Sequence, residues 1–207
     1  MIDAYVWTTP NGQKLLVALE ELGLPYNLKW VNLTRGEQKA PAYLAINPNN
    51  KIPAIVDHEG PDGTPLAVFE SGAVLLYLAD KVSKLIPQTP VGRYVALEWM
   101  FFNAGSAPAF GQLGYHLLFA PEKDPKAIQR FTEETQRLLG VLDRRLGETP
   151  YLSGQDFSIA DIMNFTWPRM GVTKFGLDIT QFPNVKRWLD AIQARPAVER
   201  ALAMTPT

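Results

Sequence analysis

The sequence predicts two domains, a small mixed α/β domain followed by an all-helical one, and three observations carry that prediction. Strand-like and helix-like patterns alternate as far as Lys81. A proline-bearing stretch then follows, Leu85-Ile86-Pro87-Gln88-Thr89-Pro90, with the composition of a linker. Beyond it strand patterns largely stop, so the expected organisation is residues 1–81, a linker at 82–91 and a helical domain over 92–207.

The elements read as follows. Ile2 to Trp7 alternates apolar residues as a half-buried strand does, and the turn Thr8-Thr9-Pro10-Asn11-Gly12 leads into a helix with Leu15, Leu16, Leu19 and Leu22 on one face. Gly23 stops that helix, and Tyr26 to Leu33 forms a second strand after Pro25. Pro41 to Ile46 reads as a short helix. Ile55 to Asp57 and Leu66 to Phe69 flank a polar turn from His58 to Pro65, which predicts a hairpin, and Ser71 to Lys81 is helical. A β-α-β unit followed by a hairpin and a helix suits a four-stranded sheet with both parallel and antiparallel pairs. In the second half, Gly92 to Leu118 is a long apolar-rich stretch interrupted at Pro108, and Pro125 to Leu146 repeats apolar residues at helical spacing. A further helix starts at Ser158, where Asp161 takes the place of the usual Glu in a capping box whose loss costs on the order of 1 kcal/mol. Pro183 to Ala194 is the last predicted helix.

Composition narrows the function. Hydrophobic residues make up 46% of the 207 and charged residues 20%, as in ordinary globular proteins. Lys and Arg number 20 against 21 Asp and Glu, which gives no electrostatic case for nucleic acid or acidic membranes as partners. The start, Met1-Ile2-Asp3-Ala4-Tyr5-Val6-Trp7, lacks the basic and apolar regions of a secretion signal. The longest obvious apolar run, Ala73 to Ala79, falls far below the roughly 20 residues that cross a bilayer, so a cytoplasmic protein without a membrane span is expected. There is no cysteine, which excludes disulfides, thiolate metal sites and a protein thiol nucleophile together. The two histidines, His58 and His116, stand far apart without clustered carboxylates, and no metal is expected.

Two segments carry the most information about a ligand. Asn50 to Asp57 contains Ile52-Pro53 ahead of a strand rich in β-branched residues, which offers an extended backbone edge. In Val68 to Leu78, a short strand ends at Glu70-Ser71 and a helix begins, so that backbone N–H groups and the macrodipole face a carboxylate while Glu70 holds an ammonium. One carboxylate, one ammonium and an extended backbone describe a small peptide such as glutathione. Thr8, Thr9 and Asn11, between the first strand and first helix, can supply donors for an anion, a thiolate included; taken without the Glu70-Ser71 segment, Thr9 reads instead as a helix cap with Pro10 in the first helical position.

The order and spacing of these segments closely resemble the glutathione transferase family. Thr9-Pro10-Asn11-Gly12, Pro48 to His58, Phe69-Glu70-Ser71-Gly72 and Glu134-Thr135-Gln136-Arg137-Leu138 are most similar to its Nu-class bacterial members, the disulfide-bond oxidoreductases. The resemblance implies a thioredoxin-like N-terminal domain, a helical glutathione-transferase C-terminal domain and a homodimer. It implies a cis bond before Pro53, Ile52 pairing its backbone with the cysteinyl unit, Gln38 in contact with glutathione, Lys51 at the glycyl carboxylate, and Glu70 with Ser71 at the γ-glutamyl end. The resemblance also implies that Thr9 and Asn11 face the thiol in the catalytic role and that Arg130 reaches glutathione at the dimer interface; a solvated helix charge is the competing reading of Arg130. The activity implied is glutathione-dependent disulfide reduction, with glutathione as co-substrate, two glutathione molecules or one glutathione disulfide in each site, and no metal. Ala104 to Phe119 would line the co-substrate cleft, with Tyr115 and His116 as contributors. The alternatives are conjugation or peroxide reduction on small electrophiles and hydroperoxides, and a domain retained for interaction or regulation.

Overall fold

The computed structural model describes residues 1–206 and divides them into two units, one formed by residues 1–86 with 195–206 and the other by residues 87–194. The first unit is thioredoxin-like and the second is helical. Along the chain the first contains β1 (Ile2–Val6), α1 (Pro10–Leu22), β2 (Tyr26–Trp30), α2 (Pro41–Leu44), β3 (Ala54–Asp57), β4 (Leu66–Phe69) and α3 (Ser71–Val82). Their sheet has the order β2-β1-β3-β4, with β1 parallel to β2 and the other two pairs antiparallel. The parallel pair requires the crossover that α1 supplies, and the antiparallel β3–β4 pair is the hairpin.

Alternation along β1 sorts the core. Ile2, Ala4 and Val6 are buried, while Tyr5 and Trp7 join a second apolar cluster with Val31, Tyr43 and Ile52. α1 packs on both β1 and α3, burying Leu15, Leu16, Leu19 and Leu22, each removal from water being worth about 1.5–3 kcal/mol. Gly12 is required where α1 begins, because a Cβ there would lie 2.1 Å from the Trp7 carbonyl oxygen. Thr9 caps the helix by accepting a hydrogen bond from the Gly12 N–H at 3.2 Å, and Gly23 ends it in the left-handed region at φ 64°.

Asp57, at the end of β3, is wholly buried and joins the sheet to α3. It accepts from the Tyr77 hydroxyl at 2.6 Å and pairs with the Lys81 ammonium at 2.7 Å. Burial alone would raise its carboxyl, but these two groups and the Glu59 N–H outweigh burial and hold it below the usual carboxylate range.

The second unit contains α4 (Pro90–Gly114), a π-helical turn (Tyr115–Phe119), α5 (Pro125–Glu148), α6 (Ile159–Phe175) and α7 (Pro183–Gln193). The interruption expected at Pro108 does not occur, and α4 continues through it. Proline removes one backbone donor, and α4 is held by extensive packing on α6 and by the Asn164 side-chain amide donating to the Trp99 carbonyl at 2.8 Å. The capping box at α6 is formed as the sequence suggests. Asp161 does more than close it: buried, it accepts from the N–H groups of Leu152 and Ser158 and from the Trp188 indole on α7 at 2.9–3.0 Å. Burial pushes its carboxyl up to about 6 against the opposing pull of those donors.

A helix that the sequence reading did not mark, α8 (Pro196–Ala203), packs on α1 and so belongs to the first unit. Arg195 grips Glu21 with two nitrogens at 2.6 and 2.8 Å, and Arg200 pairs with Glu20 at 2.7 Å.

Replacing Asp161 by Ala should cost about 3 kcal/mol of stability, because three buried donors lose their acceptor at about 1 kcal/mol or more each. Urea unfolding measures it, and a loss below about 1 kcal/mol would remove Asp161 from its place at the centre of the helical unit.

Candidate active site

The site is built on a turn fixed from below. The carbonyl oxygen of Lys51 accepts two hydrogen bonds, from the Tyr43 hydroxyl at 2.6 Å and from the Asn47 side-chain amide at 2.7 Å. Asn47 is buried, and its other side-chain atom, Oδ1, accepts from the Asn49 N–H at 2.9 Å, an Asx turn that folds the chain past Pro48. With Lys51 anchored, the Ile52–Pro53 bond that follows is cis, and β3 starts at Ala54.

On the adjoining side, α3 begins. Glu70 occupies the position before its first turn, with φ 68° and ψ 119°, and its side chain makes no capping bond. Ser71 is therefore the first helical residue and not the cap, and the start of the helix faces the cleft with its macrodipole. A non-glycine residue at positive φ costs on the order of 1 kcal/mol or more and persists where surrounding structure demands it. Glu70 is exposed, and the Asn49 amide donates to its carboxylate at 3.4 Å.

Asn11, Asn47, Asn49, Lys51, Ile52, Pro53, Glu70 and Ser71 line a cleft of about 260 Å³. Its wall carries an exposed carboxylate, an ammonium, several amides and a helix start, so it is made for a small zwitterionic ligand with an extended backbone. Of the residues expected from sequence, the cleft brings together Asn11, Lys51, Ile52, Pro53, Glu70 and Ser71. Thr9 is not part of its wall and caps α1, its hydroxyl proton still available for donation. Gln38 lies in a 3₁₀ turn (Glu37–Lys39), where its buried Oε1 has no hydrogen-bond partner among the described residues. Arg130 stands exposed on α5 in the other unit. Tyr5 is a packing residue, its ring edge-on to Tyr43 at 5.9 Å. In the helical unit, Tyr115 lies edge-on to His116, and His116 stacks on Phe131 at 5.8 Å.

Sequence reasoning missed Tyr43, Asn47 and Asn49, which orient the turn. The signal for Asn47 was present, since Asn before Pro is a turn initiator; Tyr43 gave none, because an aromatic residue in a short helix reads as packing. Among the described residues no group of His, Asp and Glu is arranged to hold a metal, and no helix is long and apolar enough to cross a membrane.

Comparison with known proteins bears on this geometry. The glutathione S-transferase N-terminal domain model matches residues 8–81, and the C-terminal domain model matches residues 97–196. The chain is 45% identical over 204 residues to the disulfide-bond oxidoreductase YfcG of Escherichia coli, covering 98% of this chain and 94% of that one. Among solved structures, a Burkholderia graminis glutathione transferase with two glutathione molecules bound per subunit has 47% identity and a TM-score of 0.94, covering 97% of this chain and 87% of that one. A Pseudomonas putida glutathione transferase with one glutathione disulfide bound per subunit has 40% identity and a TM-score of 0.95, covering 99% and 92%. With both domain models matched in order over a thioredoxin-like unit and a helical unit, this chain belongs to the glutathione S-transferase family.

Proposed function

We propose that the protein is a glutathione-dependent disulfide reductase that holds two glutathione molecules, or one glutathione disulfide, in each site. The observation that carries this reading is the cleft that pairs the anchored Lys51-Ile52-Pro53 turn with the Glu70-Ser71 helix start, in a chain with no cysteine of its own. The solved relatives with two glutathiones or one glutathione disulfide support it, as does the oxidoreductase from Escherichia coli.

In this reading Glu70 takes the γ-glutamyl ammonium and the Ser71 end of α3 takes the adjacent carboxylate. Ile52 pairs its N–H and C=O with the cysteinyl backbone, Lys51 meets the glycyl carboxylate, and the buried Gln38 carboxamide oxygen is an acceptor awaiting a donor. Asn11 and Thr9 then donate to the sulfur. A thiol of pKa about 8.5 lowered by two units corresponds to about 2.7 kcal/mol of preference for the thiolate. That thiolate attacks one sulfur of a substrate disulfide and expels the other as a thiolate. A second glutathione thiolate attacks the glutathione sulfur of the mixed disulfide, releases the remaining substrate thiolate and leaves glutathione disulfide. The two electrons come from the two glutathiones, and the protein contributes position and charge.

The assembly that we favour is a Nu-class homodimer in the cytoplasm, where the glutathione pool is kept reduced. Val91, Tyr94 and Phe101 support the dimer: they lie on α4 at spacings of three and seven residues, with 71–76% of their surface exposed, an apolar stripe suited to a second copy. Arg130 would reach glutathione across that interface. A second reading, conjugation of an apolar electrophile, is favoured by the exposure of Leu118 and Phe119 at the end of the π-helical turn. Turnover of hydroxyethyl disulfide compared with an aromatic halide separates the two.

Glu70→Ala and Ser71→Ala should each weaken glutathione binding by about tenfold or more, as expected for a lost hydrogen bond to a charged group, with the melting temperature nearly unchanged; parallel loss of binding and stability would make the pair structural. Asn11→Ala should lower disulfide-reductase kcat more than it changes glutathione affinity, because its donor acts on developing sulfur charge. Unchanged turnover would remove Asn11 from the mechanism. S-methyl glutathione should compete with glutathione and support no turnover, and turnover with it as the only glutathione species would overturn the borrowed-thiol chemistry.

A further inference from the structure

The thioredoxin-like unit has a second cavity, of about 320 Å³, which is larger than the cleft and shares no lining residue with it. That volume lies at the lower end of the range taken by small-molecule sites. Tyr5, Trp30, Val31, Tyr43 and Ile46 give it an aromatic and aliphatic lining, and Lys29 and Glu37 are its two charged residues. Tyr43 lines this cavity while its hydroxyl holds the Lys51 carbonyl of the cleft.

The polar groups of this cavity are placed by the sheet. Tyr5 of β1 stands opposite Lys29 of β2 in the parallel register, so the two side chains leave the same face of strands about 4.8 Å apart. Among the described residues, neither the Tyr5 hydroxyl nor the Lys29 ammonium has a hydrogen-bond or ion-pair partner. Burial and the Asp3 carboxylate push the Tyr5 hydroxyl up, which keeps it a donor. Asp3 itself is outside the cavity wall and accepts from Asn27 at 2.9 Å, with His58 at 3.2 Å. Glu37 accepts the Asn32 N–H through one oxygen at 2.7 Å, and an ionised carboxylate has further lone pairs to offer. Lys29 and Glu37 thus line one cavity without forming an ion pair with each other. β2 is an edge strand, where a lysine also discourages pairing with other chains; that role asks nothing of Tyr5 or Glu37.

We propose that this cavity is a second ligand site, for a small aromatic α-amino acid, whose carboxylate meets Lys29 and the Tyr5 hydroxyl, whose ammonium meets Glu37, and whose ring packs against Tyr43, Val31 and Ile46. Opposite charges held apart over an apolar floor are complementary to a zwitterion with one apolar group. A simple anion would leave Glu37 opposed to it, and a simple cation would leave Lys29 so. The edge-on pair of Tyr5 and Tyr43, with centroids 5.9 Å apart, offers a third ring the offset and edge contacts that aromatic groups prefer. The site does not depend on the assignment of the cleft to glutathione.

The probe is L-phenylalanine, compared at pH 7 with phenethylamine, which lacks the carboxylate, and 3-phenylpropanoate, which lacks the ammonium. Calorimetry should show saturable binding of one L-phenylalanine per chain, with each one-charge analogue weaker by about tenfold, as expected for a lost hydrogen bond between charged groups. Lys29→Met should remove most of the preference over phenethylamine and keep that over 3-phenylpropanoate. Glu37→Gln, which retains an acceptor for the Asn32 N–H, should do the reverse. Both variants should melt with the wild type and bind glutathione disulfide as it does. In the wild-type protein, NMR should show nuclear Overhauser effects from the L-phenylalanine ring to the Tyr5 and Tyr43 rings, a measurement that needs no variant. The γ-glutamyl end of glutathione is itself an α-amino acid, so binding is repeated with saturating glutathione disulfide, which should not displace the probe. Displacement would place L-phenylalanine in the cleft and overturn the proposal. So would the absence of saturable binding, equal affinity for the three compounds, unchanged preferences in both variants, or no Overhauser effect to either tyrosine.

Discussion

The carbonyl oxygen of Lys51 is the point on which the cleft depends. Two buried donors, the Tyr43 hydroxyl and the Asn47 amide, converge on it, and both of its lone pairs are thereby committed to the interior. The peptide plane is fixed by that pair of bonds, so the residues that follow it enter β3 along one course. Tyr43 in turn is anchored by the cluster that contains Val31, Ile52 and Ala54. Hydrophobic packing on one face of the sheet is thus converted into the orientation of a short polar edge, and the edge stays ordered without being part of a sheet.

The charged groups of the thioredoxin-like unit follow a similar division of labour. Asp57 is buried and tied to Tyr77 and Lys81 on α3, which fixes the helix against the hairpin at its far end. The near end carries Glu70 at positive φ, exposed, with the Asn49 amide donating to it at 3.4 Å. Stability is concentrated away from the cleft and strain is kept beside it, as expected where a backbone must present groups to a ligand and cannot also satisfy them internally.

Most of the fold was legible because it rests on local signals. The β1 alternation, the leucine face of α1 with Gly23 after it, the β3–β4 hairpin and the Ser158-Asp161 box each declare themselves within about ten residues. Pro108 misled because local rules treat proline as a break, whereas packing between α4 and α6 decides whether a helix tolerates a missing bond. α8 was missed because eight residues carry too little periodic pattern to stand apart from a tail. At the site, Asn11, Lys51, Ile52, Pro53, Glu70 and Ser71 of the cleft wall were readable from their spacing and their resemblance to a known arrangement, whereas Asn47 and Asn49 of the same wall were not. The bonds of Tyr43 and Asn47 to Lys51 depend on three-dimensional placement, and nothing in the pattern of α1 says that Lys14 points inward. On an amphipathic helix a lysine reads as solvent-facing, and only the fold shows otherwise.

The pairing of α8 with α1 makes the first unit discontinuous along the chain, its two parts separated by the whole of residues 87–194. Synthesis proceeds from the N-terminus, so the ribosome releases the sheet and α1 long before Arg195 and Arg200 exist to meet Glu21 and Glu20. Domains generally fold as they emerge, yet here the contiguous helical segment can be complete while the cleft-bearing one still shows part of α1 to solvent. The nascent chain therefore carries a surface of α1 whose cover is made only after residues 87–194, and α8 decides when the ligand-binding unit is finished.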